Sequence, residues 1–145
     1  MTIKQYLEKL KNLNTTEKSN HNDLNNFVVK TLLDYNKIYF KFSDLEFRNG
    51  EEILLNTTLI SKIANCLGLV FIIEEEKERN ICFANSSELR PEFRQNFTAI
   101  ELLDYVYAFV HTAFYKEYQK IAITSEIDIF WQLVKIGSGL RKENK

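Results

Sequence analysis

LLDYVYAFVHTAFYKEYQK, residues 102–120, decides the fold. It holds four tyrosines, two phenylalanines and one of the chain's two histidines, with no glycine or proline to interrupt them. From Leu102 to Phe114 the apolar residues fall on every side of a helical wheel, and such a helix is stable only when protein encloses it. The stretch is therefore predicted to be one central buried helix, capped at its start by Thr98. At helical spacing its tyrosines point in several directions. They are expected to be core residues whose hydroxyls reach a partner, and not one exposed stacking surface.

The flanking segments supply what such a helix packs against. Ile3, Tyr6, Leu7, Leu10 and Leu13 form one helical stripe. Leu24, Phe27, Val28, Thr31, Leu32 and Tyr35 form another, with Asp23 at its start. Ile38, Phe40 and Phe42 alternate with Tyr39 and Lys41, the period of a strand, and Asn49-Gly50 is a turn signal. Asn56 opens a helix that buries Leu59, Ile60, Ile63, Ala64 and Leu67, and Gly68 falls where a left-handed cap belongs. The β-branched run 69–73 predicts a strand, and 81–84 is the expected return strand. Residues 85–96 are expected to be a loop. Ser125 is expected to cap a last helix whose core face includes Ile129, Phe130, Leu133, Val134 and Ile136 to Leu140, with Gly137 and Gly139 loosening its final turns. The fold class expected is α+β: one predominantly helical domain over 1–145, with a small two- or three-stranded sheet or hairpin.

Four glycines and one proline in 145 residues disfavour an all-β fold. Nineteen basic and twenty acidic residues give a net charge of −1, so any contact with nucleic acid must come from a local patch. Lys116, Lys120, Arg141 and Lys142 are the candidate DNA-binding residues. A continuous patch of them would favour DNA, whereas interleaving with Glu117, Glu126 and Glu143 would disfavour it. Cys66 and Cys82 sit in apolar contexts and read as reduced thiols, with a disulfide or metal pair as the alternative. The first residues lack the apolar segment of a signal peptide and no run approaches membrane-spanning length, so a cytoplasmic protein without membrane contact is expected.

The motifs that would carry chemistry are thin. Two histidines and no paired Cys-x-x-Cys leave no metal site to expect. Gly137-Ser138-Gly139 has neither the third glycine nor the lysine of a phosphate loop, and no nucleophile elbow is present, so no cofactor is expected. Glu75-Glu76-Lys77 after a predicted strand has the form of a nuclease centre, with Glu51 or Glu52 as a further acid. Such a triplet is common by chance in a charged chain, and a solvated turn is the reading expected of it. Asp104 and His111, seven apart on the predicted helix, stand roughly 10 Å apart along its axis and cannot form an acid–histidine relay.

LNTTLISKIANCLGLVF, NFTAIELLDYVYAFVHTAFYKEY and IFWQLVKIGSGLRKEN together resemble the C-terminal region of the type ISP and type IIG-like restriction–modification DNA methyltransferases. Leu103, Asp104, Tyr105, Tyr107, Ala108, His111, Tyr115, Lys116, Glu117, Tyr118, Phe130, Trp131, Leu133 and Gly137 carry the resemblance, which covers about residues 54–143. Residues 1–53 are not placed by it. In that family the region belongs to the target-recognition end, so the resemblance implies a module that binds DNA or couples to such a methyltransferase. Asp104, Tyr105, Tyr107, His111, Tyr115, Tyr118, Trp131 and Gly137 would be its structural motif residues. The chain has no Asn-Pro-Pro-Tyr and no glycine-rich cofactor loop, so the module is expected to be non-enzymatic. Where the family has a proline-rigid basic segment, this chain has only QKIAITSEIDI. The alternative is a protein-interaction or regulatory module, an accessory subunit or restriction antagonist, that does not bind DNA.

Overall fold

The computed structural model describes residues 3–11, 22–50, 52–72 and 95–143. Along the chain come α1 (Ile3–Lys11), α2 (Asn22–Leu33), β1 (Ile38–Phe40), a 3₁₀ turn (Phe42–Leu45), β2 (Glu46–Asn49), β3 (Glu52–Leu55) and α3 (Thr57–Leu67). Then follow β4 (Val70–Ile72), β5 (Asn96–Thr98), α4 (Ala99–Val110), α5 (Ala113–Tyr118), β6 (Ile121–Ile123) and α6 (Ile127–Glu143). The strands pair two by two among the described residues, so the class is α+β with helices dominant. No helix among the described residues is long and apolar enough to cross a membrane.

Helix α4 is the expected centre. Thr98 accepts a hydrogen bond from the Glu101 amide, and the Glu101 carboxylate accepts one from the Thr98 amide, which closes a capping box. Every residue from Leu102 to Val110 is buried. The helix stops sooner than its sequence predicts, because His111 caps it and Thr112 starts the separate short helix α5. The reason is local: the Thr112 hydroxyl donates back to the Phe109 carbonyl at 2.6 Å and accepts from the Tyr115 amide at 3.3 Å. A threonine bonded in this way competes with the helical ladder.

Helix α6 runs beside α4 in the same direction. Phe97 meets Phe130 at the start, with ring centroids 5.9 Å apart, and Asp104 meets Gly137 further along at the same sequence offset. A Cβ on Gly137 would stand 1.7 Å from the Asp104 carbonyl oxygen, so only glycine lets the two backbones approach this closely. Gly137 therefore packs the helix rather than loosening it. Gly139 has nothing within 4 Å of its Cβ position. Ser125 does not cap α6. Its amide and hydroxyl both donate to the Asp34 carboxylate at 2.7 Å, tying the end of α2 to the start of α6.

The remaining elements close around this pair. Tyr6, Leu7 and Leu10 of α1, Leu24 and Val28 of α2, Phe40 of β1, and Ile60, Ile63 and Leu67 of α3 share one core with α4 and α6. Residues 1–53 thus contribute to the same core as the later part of the chain. Asn56 caps α3 by accepting from the Thr58 and Leu59 amides, and Gly68 ends it at φ +69°. Asn49-Gly50 turns the β2–β3 hairpin, with Gly50 at φ +66°. Three expectations are corrected. Tyr35 is fully exposed, because α2 ends at Leu33. Phe42 lies in the 3₁₀ turn and not in the strand, which ends at Phe40. Strand β4 pairs in parallel with β5, a strand not expected from the sequence, of which only Asn96 belongs to the expected loop. The expected return strand 81–84 lies outside the described residues.

Candidate functional site

The motif residues named from sequence gather mostly in the interior. Asp104 is the centre of a buried cluster. Tyr6 donates to its Oδ1 at 2.5 Å, Arg141 Nε donates to the same oxygen at 2.9 Å, and Arg141 Nη2 donates to Oδ2 at 3.2 Å. The guanidinium also lies over the Tyr6 ring, 5.6 Å from its centroid. Burial pushes the Asp104 carboxyl up, and the bonds from Tyr6 and Arg141 pull it back only in part. Burial acts to lower the Arg141 pKa, but its hydrogen bond to Asp104 and their attraction outweigh that and hold it above the ordinary value. Burial beside Asp104 drives the Tyr6 phenol far above its ordinary range. This acid therefore works as a three-way clamp of α1, α4 and α6, with both oxygens engaged.

Apart from Tyr118, which was expected to be structural but is 55% exposed, the other motif residues are supports. Tyr105 donates to the Ala122 carbonyl at 2.6 Å and accepts from the Thr124 amide at 3.3 Å, which pins β6 to α4. Tyr107 packs edge-on against Tyr6 and carries the Lys9 ammonium 5.4 Å over its ring. His111 Nδ1 donates to the Tyr107 carbonyl at 2.7 Å, which fixes its tautomer, and its backbone amide caps α4 by donating to the Ala108 and Phe109 carbonyls. Trp131 packs edge-on against Phe130, and Tyr115 is half-buried. Asp104 and His111 have separate partners, as their spacing required.

An open cavity of about 540 Å³ is lined by Asn36, Ile38, Lys62, Asn65, Cys66 and Ser125. The Cys66 thiol donates to the Asn36 carbonyl at 3.4 Å, and burial followed by the nearby Asp34 charge pushes its pKa up. A thiol held protonated in this way is a poor nucleophile. Asp34 itself is lowered: burial acts to raise it, but hydrogen bonds from Ser125, Asn36 and Thr124 prevail. Among the described residues no three His, Cys, Asp or Glu side chains are grouped so as to hold a metal ion. Glu51, Glu75, Lys77 and Cys82 lie outside the described residues.

The four candidate basic residues are divided. Arg141 is taken by Asp104, and Lys116 is half-buried on α5. Lys120 and Lys142 are exposed. Lys142 ends α6, at the end of the fold where α4 also finishes. Glu126 lies at the opposite end of α6, and Glu117 is exposed on α5 between Lys116 and Tyr118.

Lys120 has unexpected neighbours. In the β1–β6 pair Phe40 lies opposite Ile121, and Lys41 and Lys120, the residues just after β1 and just before β6, are both exposed. On the same strand Tyr39 is 49% exposed and stacks on Phe114 of α5, with centroids 6.4 Å apart at 27°. Phe114 in turn lies 4.9 Å from Tyr118, which is 55% exposed. The Lys37 ammonium is 5.5 Å over the Tyr39 ring. Phe114 also meets core Phe109 edge-on, anchoring the row. One row of accessible rings therefore lies along β1 and α5, with Lys37 over Tyr39 and the exposed Lys41 and Lys120 next to the ends of β1 and β6. The alternation of Tyr39 and Lys41 with Ile38 and Phe40 showed that these two side chains face outward. That Phe114 and Tyr118 would join them depended on the helix break at Thr112, which periodicity did not show. Comparison with family models, curated proteins and solved structures finds no match to this chain.

Proposed function

We propose that this chain is a non-enzymatic, cytoplasmic nucleic-acid-binding module, comparable in role to the DNA target-recognition end of a restriction–modification methyltransferase and able to couple to such an enzyme. The observation that carries the reading is the row of accessible rings Tyr39, Phe114 and Tyr118, with the Lys37 ammonium over Tyr39 and the exposed Lys41 and Lys120 flanking β1 and β6. Such lysines attract a polyanion, and the rings give it a surface to rest on. The same reading explains why the groups suited to chemistry are otherwise engaged: the Asp104 carboxylate is clamped on both oxygens and the Cys66 thiol is held protonated. Glu117 and Asp44, both exposed near this surface, temper its positive charge, consistent with modest affinity.

The test is retardation of DNA on a gel at low salt. The reading expects binding in the micromolar range that weakens steeply as salt is added, with log K falling by about 0.9 per log unit of salt for each phosphate contact. Lys41→Gln and Lys120→Gln should each lower that slope by about one contact. Absence of binding at tens of micromolar, alone and with a candidate methyltransferase present, contradicts it.

A second reading, a protein-interaction or regulatory module that does not bind DNA, is favoured by one different feature. Val29 and Leu33, four apart on α2, are 53% and 73% exposed, and a surface helix ordinarily turns such residues inward. Recovery of a methyltransferase on the immobilised chain, undiminished by nuclease treatment and lost in Leu33→Glu, supports this reading over the first.

A further inference from the structure

We infer that the Tyr39–Phe114–Tyr118 row is a base-stacking platform for single-stranded nucleic acid, an inference that rests on the nucleic-acid-binding reading above and specifies its substrate. Three observations lead there. First, the rings are accessible: Tyr39 and Tyr118 are each about half exposed, while Tyr6, Tyr105 and Tyr107 are completely buried. Second, the row is held in place. Phe114 sits between the two tyrosines and is fixed from below by Phe109, so binding need not first order loose side chains. Third, cationic groups border the row: the Lys37 ammonium lies 5.5 Å over the Tyr39 ring, and the exposed Lys41 and Lys120 are the residues just after β1 and just before β6.

The choice of single strand over duplex follows from shape. Bases in a duplex are stacked on one another and present only their edges, so aromatic side chains cannot lie on their faces. The elements that carry this row are a three-residue strand, a six-residue helix and the start of another three-residue strand. None is long enough to fill a major groove as a recognition helix does. Two accessible tyrosines suit about two bases, the number that paired aromatics on a sheet surface commonly hold. Stacking on a ring does not depend on base identity, so the platform is expected to tolerate many sequences.

The experiment uses the full chain and three fluorescein-labelled probes of about 15 nucleotides: oligo-dT, oligo-rU and a DNA duplex. Fluorescence anisotropy is followed at about 50 mM salt. The inference expects at least one single strand to bind more tightly than the duplex, and the order of dT and rU tells whether DNA or RNA is the source. Tyr39→Leu and Tyr118→Leu should each weaken single-strand binding about fivefold or more, and Tyr118→Phe should leave it unchanged. Duplex binding as tight as single-strand binding, indifferent to both leucine variants, overturns the inference while leaving the nucleic-acid reading standing. No binding to any of the three probes overturns both. The comparison among probes on the unaltered chain decides the matter even if a variant fails to fold.

Discussion

Gly137→Ala and Gly139→Ala are the same substitution two positions apart on α6, and the structure gives them opposite signs. In an exposed helix interior, replacing glycine with alanine stabilises by about 1 kcal/mol, because alanine loses less backbone entropy on folding. Gly139 is exposed and a Cβ there meets nothing within 4 Å, so that gain should appear nearly in full. At Gly137 the added carbon would stand 1.7 Å from the Asp104 carbonyl oxygen and 2.6 Å from its carbon. These are backbone atoms of a helix buried on all sides, so they cannot swing aside. Helix α6 must move away from α4, stretching the Arg141–Asp104 contacts at 2.9 and 3.2 Å as it goes. Overpacking of this kind costs about 1–3 kcal/mol or more, and loosening the clamp adds to it, so a net loss of about 2–4 kcal/mol is expected after the propensity gain. For a chain of this size that corresponds to a melting temperature lower by about 6–15 °C. Urea unfolding followed by circular dichroism measures both variants. A neutral or stabilising Gly137→Ala would show that α4 and α6 are not in backbone contact, and the packing described above would fail with it.

Asp104→Asn should destabilise by about 3 kcal/mol, because it leaves Arg141 partly buried without a charge partner; Tyr6→Phe, which removes one charge-assisted bond, should lose about 1–1.5 kcal/mol in the same urea assay. Asp34 is held below its ordinary pKa in the folded chain, so the unfolded chain binds more protons as the pH falls. Its contribution should be complete above the ordinary carboxylate range and be lost as the pH falls through the lowered folded-state pKa: Asp34→Asn should be less stable than the parent at neutral pH, with the difference shrinking in acid. With Cys82→Ser as background, Cys66 should react with iodoacetamide more slowly than a free thiol at neutral pH, since burial raises its pKa. Glu117→Gln should tighten nucleic-acid binding in the anisotropy assay, since it removes a carboxylate from the helix that carries Phe114 and Tyr118.

Much of the fold was legible because hydrophobic period and capping residues agreed. Thr98 with Glu101, Asn56 with Gly68, and Asn49-Gly50 each mark an element boundary through local hydrogen bonding or a backbone angle, and such signals need no tertiary information. The failures are of the opposite kind. Ser125 has the chemistry of a cap but is claimed by Asp34, far away in sequence. Gly137 is a weak helix former until the neighbouring backbone is known. Strands β4 and β5 have three residues each and join in parallel across a long stretch of chain, a pairing for which short apolar runs give no signature. The candidate surface was half legible. Lys120 was named from charge, and Tyr39 and Lys41 were placed in the alternation of a predicted strand. Their assembly with Phe114, however, is a product of the β1–β6 register and of Thr112 interrupting the aromatic helix. Arg141 illustrates the converse: a cation near a chain end reads as solvent-facing until a buried carboxylate is found within reach.

The central claim, that the ring-and-lysine surface of β1, α5 and β6 is where this protein meets nucleic acid, is tested most directly by nuclear magnetic resonance. Amide resonances of the labelled chain are followed while unlabelled oligo-dT is added. The account predicts shifts concentrated at Lys37, Tyr39, Lys41, Phe114, Tyr118 and Lys120, with Val29 and Leu33 unmoved. Shifts centred on the exposed face of α2, or spread evenly over the surface, would contradict it.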